Sequence, residues 1–201
     1  RKPVKGDFYL SDDERRLIEK VSKAFHSQGK KVIAVLNIGA PIEVASWRDK
    51  VDAILLAWQA GQETGRVVAD ALVGEINPSG KLPTTFPKDY ADIPSWNFPG
   101  TPPENPEKVV YYEDIYVGYR YYDTFGVKPA YPFGHGLSYT QFEYSGLKAE
   151  LSGDALKVSF TVKNTGKRAG KEVAQVYVSA PRGRLDKPLQ ELKAFHKTQL
   201  L

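Results

Sequence analysis

The sequence predicts an α/β layer built on parallel strands, then an antiparallel β-sandwich, and three observations carry that reading. Two short apolar runs, Val32 to Ile38 and Val51 to Trp58, lack alternation and are interleaved with helix-like segments, as expected for parallel strands buried on both faces. Between Phe86 and about Pro132 the periodicity disappears and prolines and tyrosines crowd in. After Tyr139 the apolar period becomes two, the mark of half-buried antiparallel strands.

The first helix opens at Ser11, which with Glu14 makes a capping box, and its apolar stripe is Leu17, Ile18, Val21, Ala24 and Phe25,. Gly29 ends it. The run Val32 to Ile38 is the first strand, and Pro41 to Trp47 reads as a short helix with proline in its first turn,. Val51 to Trp58 is the next strand, and after Gly61 the residues Val67, Val68, Ala71 and Leu72 form a second helical stripe,. About three strands are legible, too few for a closed core, so the sheet is expected to start upstream.

The connector holds Pro87, Pro94, Pro99, Pro102, Pro103 and Pro106 with Tyr111, Tyr112, Tyr116, Tyr119, Tyr121 and Tyr122. A stretch this long without clear elements reads as a crossover that glues two domains with aromatic contacts. In the last part, Leu147, Ala149 and Leu151 alternate with Lys148 and Glu150, and Leu156, Val158, Phe160 and Val162 alternate with Lys157, Ser159, Thr161 and Lys163 across a Ser152-Gly153-Asp154 turn. That is a β-hairpin. Asn164-Thr165-Gly166 turns the chain again, into a third strand through Ala174, Val176 and Val178,. A sandwich needs about seven strands over roughly 100 residues, so this one reads as incomplete. The division is 1–86 for the α/β part, 87–139 for the connector and 140–201 for the sandwich.

A sequence of 201 residues with no methionine reads as a fragment or a processed chain. No stretch is long enough to span a bilayer and no signal-like segment opens it; the expectation is a soluble protein without membrane contact, the cytoplasm favoured over the periplasm or secretion. There is no cysteine, which excludes a disulfide framework and thiolate metal sites. The net charge of +4 is dispersed among acids such as Asp12, Asp13, Glu14 and Glu19, so no nucleic-acid surface is read. His26, His135 and His196 have no ligand spacing between them, so neither a metal nor a cofactor is expected. His135, between two glycines, reads as a packing residue.

Three segments stand out: Gln59-Ala60-Gly61-Gln62-Glu63-Thr64-Gly65, Asn77 to Pro87 (Asn-Pro-Ser-Gly-Lys-Leu-Pro-Thr-Thr-Phe-Pro) and Phe133 to Thr140 (Phe-Gly-His-Gly-Leu-Ser-Tyr-Thr), with Tyr119-Arg120-Tyr121-Tyr122-Asp123 as a fourth. Together they resemble the family 3 glycoside hydrolases, the Thermotoga-type β-glucosidases in particular. The resemblance implies the C-terminal half of an open α/β sandwich domain followed by the start of a fibronectin type III-like domain. It also implies a retaining β-glucosidase acting on terminal β-D-glucosyl residues of β-glucosides or cello-oligosaccharides, partnered by an N-terminal catalytic barrel of the same protein. Retaining hydrolysis uses two carboxyl groups about 5 Å apart. By the resemblance the nucleophile lies in the barrel, and the proton donor lies a few residues before Arg1, which matches the arginine beside the acid/base loop. No catalytic residue is therefore assigned here, and Glu14, Glu63 and Glu113 are not promoted to fill the gap. The chain alone is expected to be inactive.

In open α/β sheets ligands gather at the carboxyl ends of strands, and there Trp58, Gln59 and Glu63 are the candidate substrate-binding residues of an active-site rim. The glycine turn Gly61 to Gly65 has neither the Walker lysine nor the dinucleotide fingerprint,. It reads as a tight strand-to-helix turn, which disfavours a stand-alone nucleotide-binding protein. The remaining alternative is a carbohydrate- or protein-binding module built on the tyrosine cluster, for which interface packing is the favoured reading.

Overall fold

The computed structural model describes residues 4–95, 111, 113–181 and 183–201. An α/β layer is followed by an antiparallel β part, as expected. Helix α1, Asp12–His26, starts at Ser11 with both halves of the capping box formed. Strands β1, Ile33–Leu36, and β2, Ala53–Leu56, pair in parallel, Ile33 opposite Ala53 and Leu36 opposite Leu56. Helix α2, Thr64–Val73, follows β2 through a single 3₁₀ turn, Gly61–Glu63.

The core lies on one face of this pair. Leu10, Ile42, Val44, Trp47, Phe86 and Ala130 are buried, and Ala34, Leu36, Ile54, Leu56 and Trp58 pack against them. The expectation of strands buried on both faces is corrected here: Ile33 and Val35 point away from the core and are 47% and 40% exposed, because no layer among the described residues covers that side. Two strands are found among the described residues of the α/β part instead of about three. Helix α1 also buries a narrower line than expected, since Ser22 is buried while Leu17 is 62% exposed.

Pro41 to Trp47 is not a helix. The Glu43 amide donates to Phe8 O at 2.8 Å, and its buried carboxylate accepts from the Ser46 amide (2.6 Å) and hydroxyl (2.8 Å). The indole N–H of Trp47 closes the turn on Glu43 O at 2.8 Å. These bonds replace a regular i→i+4 ladder, and only a 3₁₀ turn, Arg48–Lys50, follows,.

The connector contains a helix that its sequence does not announce. Helix α3, Tyr119–Phe125, begins after Gly118 and ends at Gly126, where φ is +67°. Seven residues are too few for a 3.6-residue period to register. Tyr119 stacks on Phe133 at 4.9 Å, meets Tyr177 edge-on at 5.7 Å and accepts from the Leu192 amide at 2.6 Å. These contacts tie the connector to the β part and favour packing over sugar stacking for Tyr119. The expected roles of Pro99, Pro102, Pro103, Pro106 and Tyr112 lie outside the described residues.

Strands β3, Phe142–Ser152, and β4, Ala155–Asn164, form the expected hairpin around Gly153 and Asp154. Gly153 sits at φ +58°, as the first loop residue of a type II′ turn requires. A bulge at Gly146 (φ +64°) resets the alternation, so Tyr144, Ala149 and Leu151 share one face opposite Val162, Val158 and Leu156,. Strand β5, Val173–Val178, pairs with β6, Glu191–Lys197, and not with β4. Among the described residues the β part is thus two antiparallel pairs, and no helix is long and apolar enough to cross a membrane.

Candidate functional site

The carboxyl ends of β1 and β2 lie side by side, and the chain leaving β2 carries Trp58, Gln59 and, after the 3₁₀ turn, Glu63. Trp58 has φ +51°, a left-handed conformation that a bulky residue adopts only under strain. Its half-buried ring packs on the core, 6.1 Å from the Phe86 ring. Gln59 is exposed and lays its amide over Gly39, where an added Cβ would sit 3.0 Å from Gln59 Nε2. Gly39 is therefore the seat of Gln59, and its only sequence signal is a glycine directly after an apolar run. Gly61 turns the chain at φ +78°, its carbonyl accepting from the Thr64 hydroxyl at 2.6 Å. Glu63 is exposed at the head of α2 and does not cap it with its side chain. Arg1 lies outside the described residues.

All three candidates thus sit on one loop at the strand ends, Gln59 and Glu63 exposed and Trp58 turned onto the core. Two concavities lie at the junction with the β part. One, of about 330 Å³, is lined by Lys81, His135, Tyr144, Glu172 and Gln175 among others. There Lys81 Nζ meets Glu172 Oε1 at 3.0 Å and donates to Gly136 O at 2.8 Å, while the Tyr144 hydroxyl donates to Glu172 at 3.1 Å. The second, of about 210 Å³, is lined by Thr85, Tyr119, Tyr122 and Asp123 among others. In the first the charges answer one another, which suits a joint better than a substrate site.

The shifted carboxyl groups all move the same way. Asp52 is pulled well below the usual range by hydrogen bonds from Lys31, the Val32 amide and His26, and Asp12, Glu19 and Glu191 are lowered by bonds from Lys5, Lys50 and Lys193. A glycosidase proton donor needs the opposite shift. His135 stacks on Tyr131 at 5.1 Å, and burial, then the charge of Lys81, push its pKa down. His26 is engaged by Asp52 at 2.8 Å. Among the described residues no three His, Cys, Asp or Glu converge as metal ligands.

Residues 5–139 match the Glycosyl hydrolase family 3 C-terminal domain, and residues 172–201 the Fibronectin type III-like domain. The thermostable β-glucosidase B of Acetivibrio thermocellus is 46% identical over a 196-residue alignment that covers 95% of this chain and 25% of that protein. The structure of β-glucosidase 3B from Thermotoga neapolitana in complex with glucose superimposes with a TM-score of 0.97 at 73% identity, over 100% of this chain and 28% of that one. A β-glucosidase structure from Paenibacillus barengoltzii gives 0.87 at 40% identity, over 98% of this chain and 22% of that one. The chain thus spans about a quarter of the length of the relatives it matches.

Proposed function

This chain belongs to glycoside hydrolase family 3, and on that premise we propose that it is the C-terminal portion of a retaining β-glucosidase. In this reading it supplies part of the α/β domain, residues 1–86, an interdomain connector, 87–139, and the beginning of the fibronectin type III-like domain, 140–201. The observation that carries it is the match to β-glucosidase 3B across the whole chain. The substrate class is a terminal β-D-glucosyl residue of a β-glucoside or cello-oligosaccharide.

The two carboxyl groups of the reaction belong, in this proposal, to a partner barrel and to the acid/base loop preceding Arg1. The downward shifts at Asp12, Glu19, Asp52 and Glu191 agree with a chain that provides no proton donor. Its contribution is a rim: Trp58 offers an aromatic edge, and Gln59 and Glu63 offer polar groups to sugar hydroxyls. The uncovered face of β1 and β2, with Ile33 and Val35, is the surface on which the rest of the domain packs.

The test compares this chain with the same chain extended upstream through the barrel, using a nitrophenyl β-glucoside. The expected result is turnover by the extended protein and none by the 201 residues alone, since loss of both carboxyl groups removes the route to a glycosyl-enzyme intermediate. Turnover by the short chain at a comparable rate, with contamination excluded, would overturn the reading.

A further inference from the structure

Helix α2 is continuous with the rim loop, so whatever holds the helix sets where Glu63 stands and bears on Gln59, whose amide also rests on Gly39. Its own packing is thin. Ala71 is its one buried residue, while Val67, Leu72 and Val73 are 45%, 42% and 73% exposed. The helix has no basic residue in its last turn to answer the negative end of its dipole,.

The missing groups come from the end of the connector and from the β part. The Tyr139 hydroxyl donates to Ala71 O at 2.9 Å, and the Arg168 guanidinium donates to Gly74 O at 3.1 Å. Gly74 is at φ +83°, and an added Cβ would lie 2.6 Å from Arg168 Nη1, so glycine is required there both for the backbone and for the approach of the arginine. One step further on, Asn77 donates to Ala169 O at 2.9 Å and accepts from the Ser138 hydroxyl (2.9 Å) and the Tyr139 amide (2.8 Å). The tail of α2 is thus fastened to two segments, 138–139 just before β3 and 168–169 just after β4.

We propose that Arg168 and Tyr139 are positioning residues for the Trp58 to Glu63 loop, acting through the C-terminal end of α2. The proposal rests on the reading of that loop as a substrate rim. A ten-residue helix is about 15 Å long, so a tilt of about 10° at its fastened end moves its head by roughly 3 Å. Displacements of that size are enough to misplace a sugar contact. The β part thereby contributes to substrate binding without touching substrate.

Arg168→Met, Arg168→Lys and Tyr139→Phe test it, with Val162→Ala as a control that loosens the hairpin away from α2. Hydrogen exchange of the α2 amides beyond the first turn, and KM and kcat for a nitrophenyl β-glucoside, are followed in the barrel-extended protein. The expected result is exchange about five-fold faster in R168M and Y139F, largely restored in R168K, with V162A unchanged in α2. KM rises about five-fold in R168M with kcat held within about two-fold, the pattern of lost ground-state binding. Unchanged α2 exchange in R168M, or an equal effect of V162A, overturns the proposal. So does faster exchange with unchanged KM, provided Trp58→Ala raises KM. If neither Trp58→Ala nor Glu63→Gln affects KM, the rim reading has failed, and the fastening of α2 is judged on exchange alone.

Discussion

Lys81 and Glu172 meet at 3.0 Å across the junction of the α/β and β parts, their side chains only 17% and 11% exposed. Lys81 comes from the Asn-Pro-Ser-Gly-Lys-Leu-Pro stretch and Glu172 from the residue before β5. The Tyr144 hydroxyl, on β3, donates to the same carboxylate, and burial followed by the Glu172 charge pushes its pKa up to about 12. The Glu172 amide is answered by Thr198 at 3.0 Å. The pair therefore joins three segments, and its polar groups are occupied from both sides.

Removing one member strands the other. Lys81→Met or Glu172→Leu is expected to lower unfolding stability by about 3 kcal/mol, whereas the two together cost much less than the sum. Urea denaturation of the four proteins measures the coupling; additive losses would show that the pair does not act as a unit.

The Gly134-His135-Gly136 turn closes against the same region. A Cβ on Gly136 would stand 2.2 Å from Gly80 O, while one on Gly61 meets nothing within 4 Å and suffers only from φ +78°. Gly136→Ala is expected to cost about 2 kcal/mol by forcing two backbones apart. Gly61→Ala costs about 1 kcal/mol by strain alone. Denaturation midpoints give the order, and a G61A loss equal to that of G136A would contradict it.

Acid sensitivity is expected at Asp52. Its carboxylate accepts from Lys31 Nζ, the Val32 amide and His26 Nε2, each at 2.8 Å, which lowers its folded pKa below the ordinary value of 3.8. A group depressed in the folded state contributes stability that is present above its unfolded pKa and is lost as pH falls through the folded one. Urea midpoints should therefore fall below about pH 4, and more steeply in the parent chain than in Asp52→Asn. Identical slopes from pH 4 to pH 2 would remove Asp52 from the acid response.

The fold was legible where a local signal is strong. The capping box at Ser11 and Glu14 and the hairpin of β3 with β4 follow from spacing, and the parallel pair β1 and β2 from short apolar runs without alternation between helix-like segments. Strand β6 was missed because Glu191 to Lys197 alternates only weakly, and β5 was expected to follow β4 although its partner lies further along. Pro41 to Trp47 misled because proline at a first turn says nothing of a buried glutamate that captures the next amides. At the site, strand-end logic found Trp58, Gln59 and Glu63, yet Gly39 beneath Gln59 and Arg168 behind α2 are distant in sequence, 20 and 105 positions from Gln59 and Glu63, and no local pattern links them.

The backbone of Trp58 supplies the last expectation. At φ +51° a residue with a Cβ pays about 1–2 kcal/mol that glycine does not. Elsewhere in a folded chain glycine is the less stable choice than alanine by roughly 0.5–1 kcal/mol. The order should invert here: Trp58→Gly and Trp58→Ala both lose the ring contact with Phe86, but the glycine variant is expected to be more stable than the alanine variant by about 1 kcal/mol. Denaturation of the two variants measures this directly, and an alanine variant as stable as the glycine variant would mean that the turn carries no strain. If the strain serves to present the indole at the strand end, both variants raise KM for a β-glucoside in the barrel-extended protein to the same extent despite their different stabilities. A KM that tracked stability instead would assign Trp58 to packing alone.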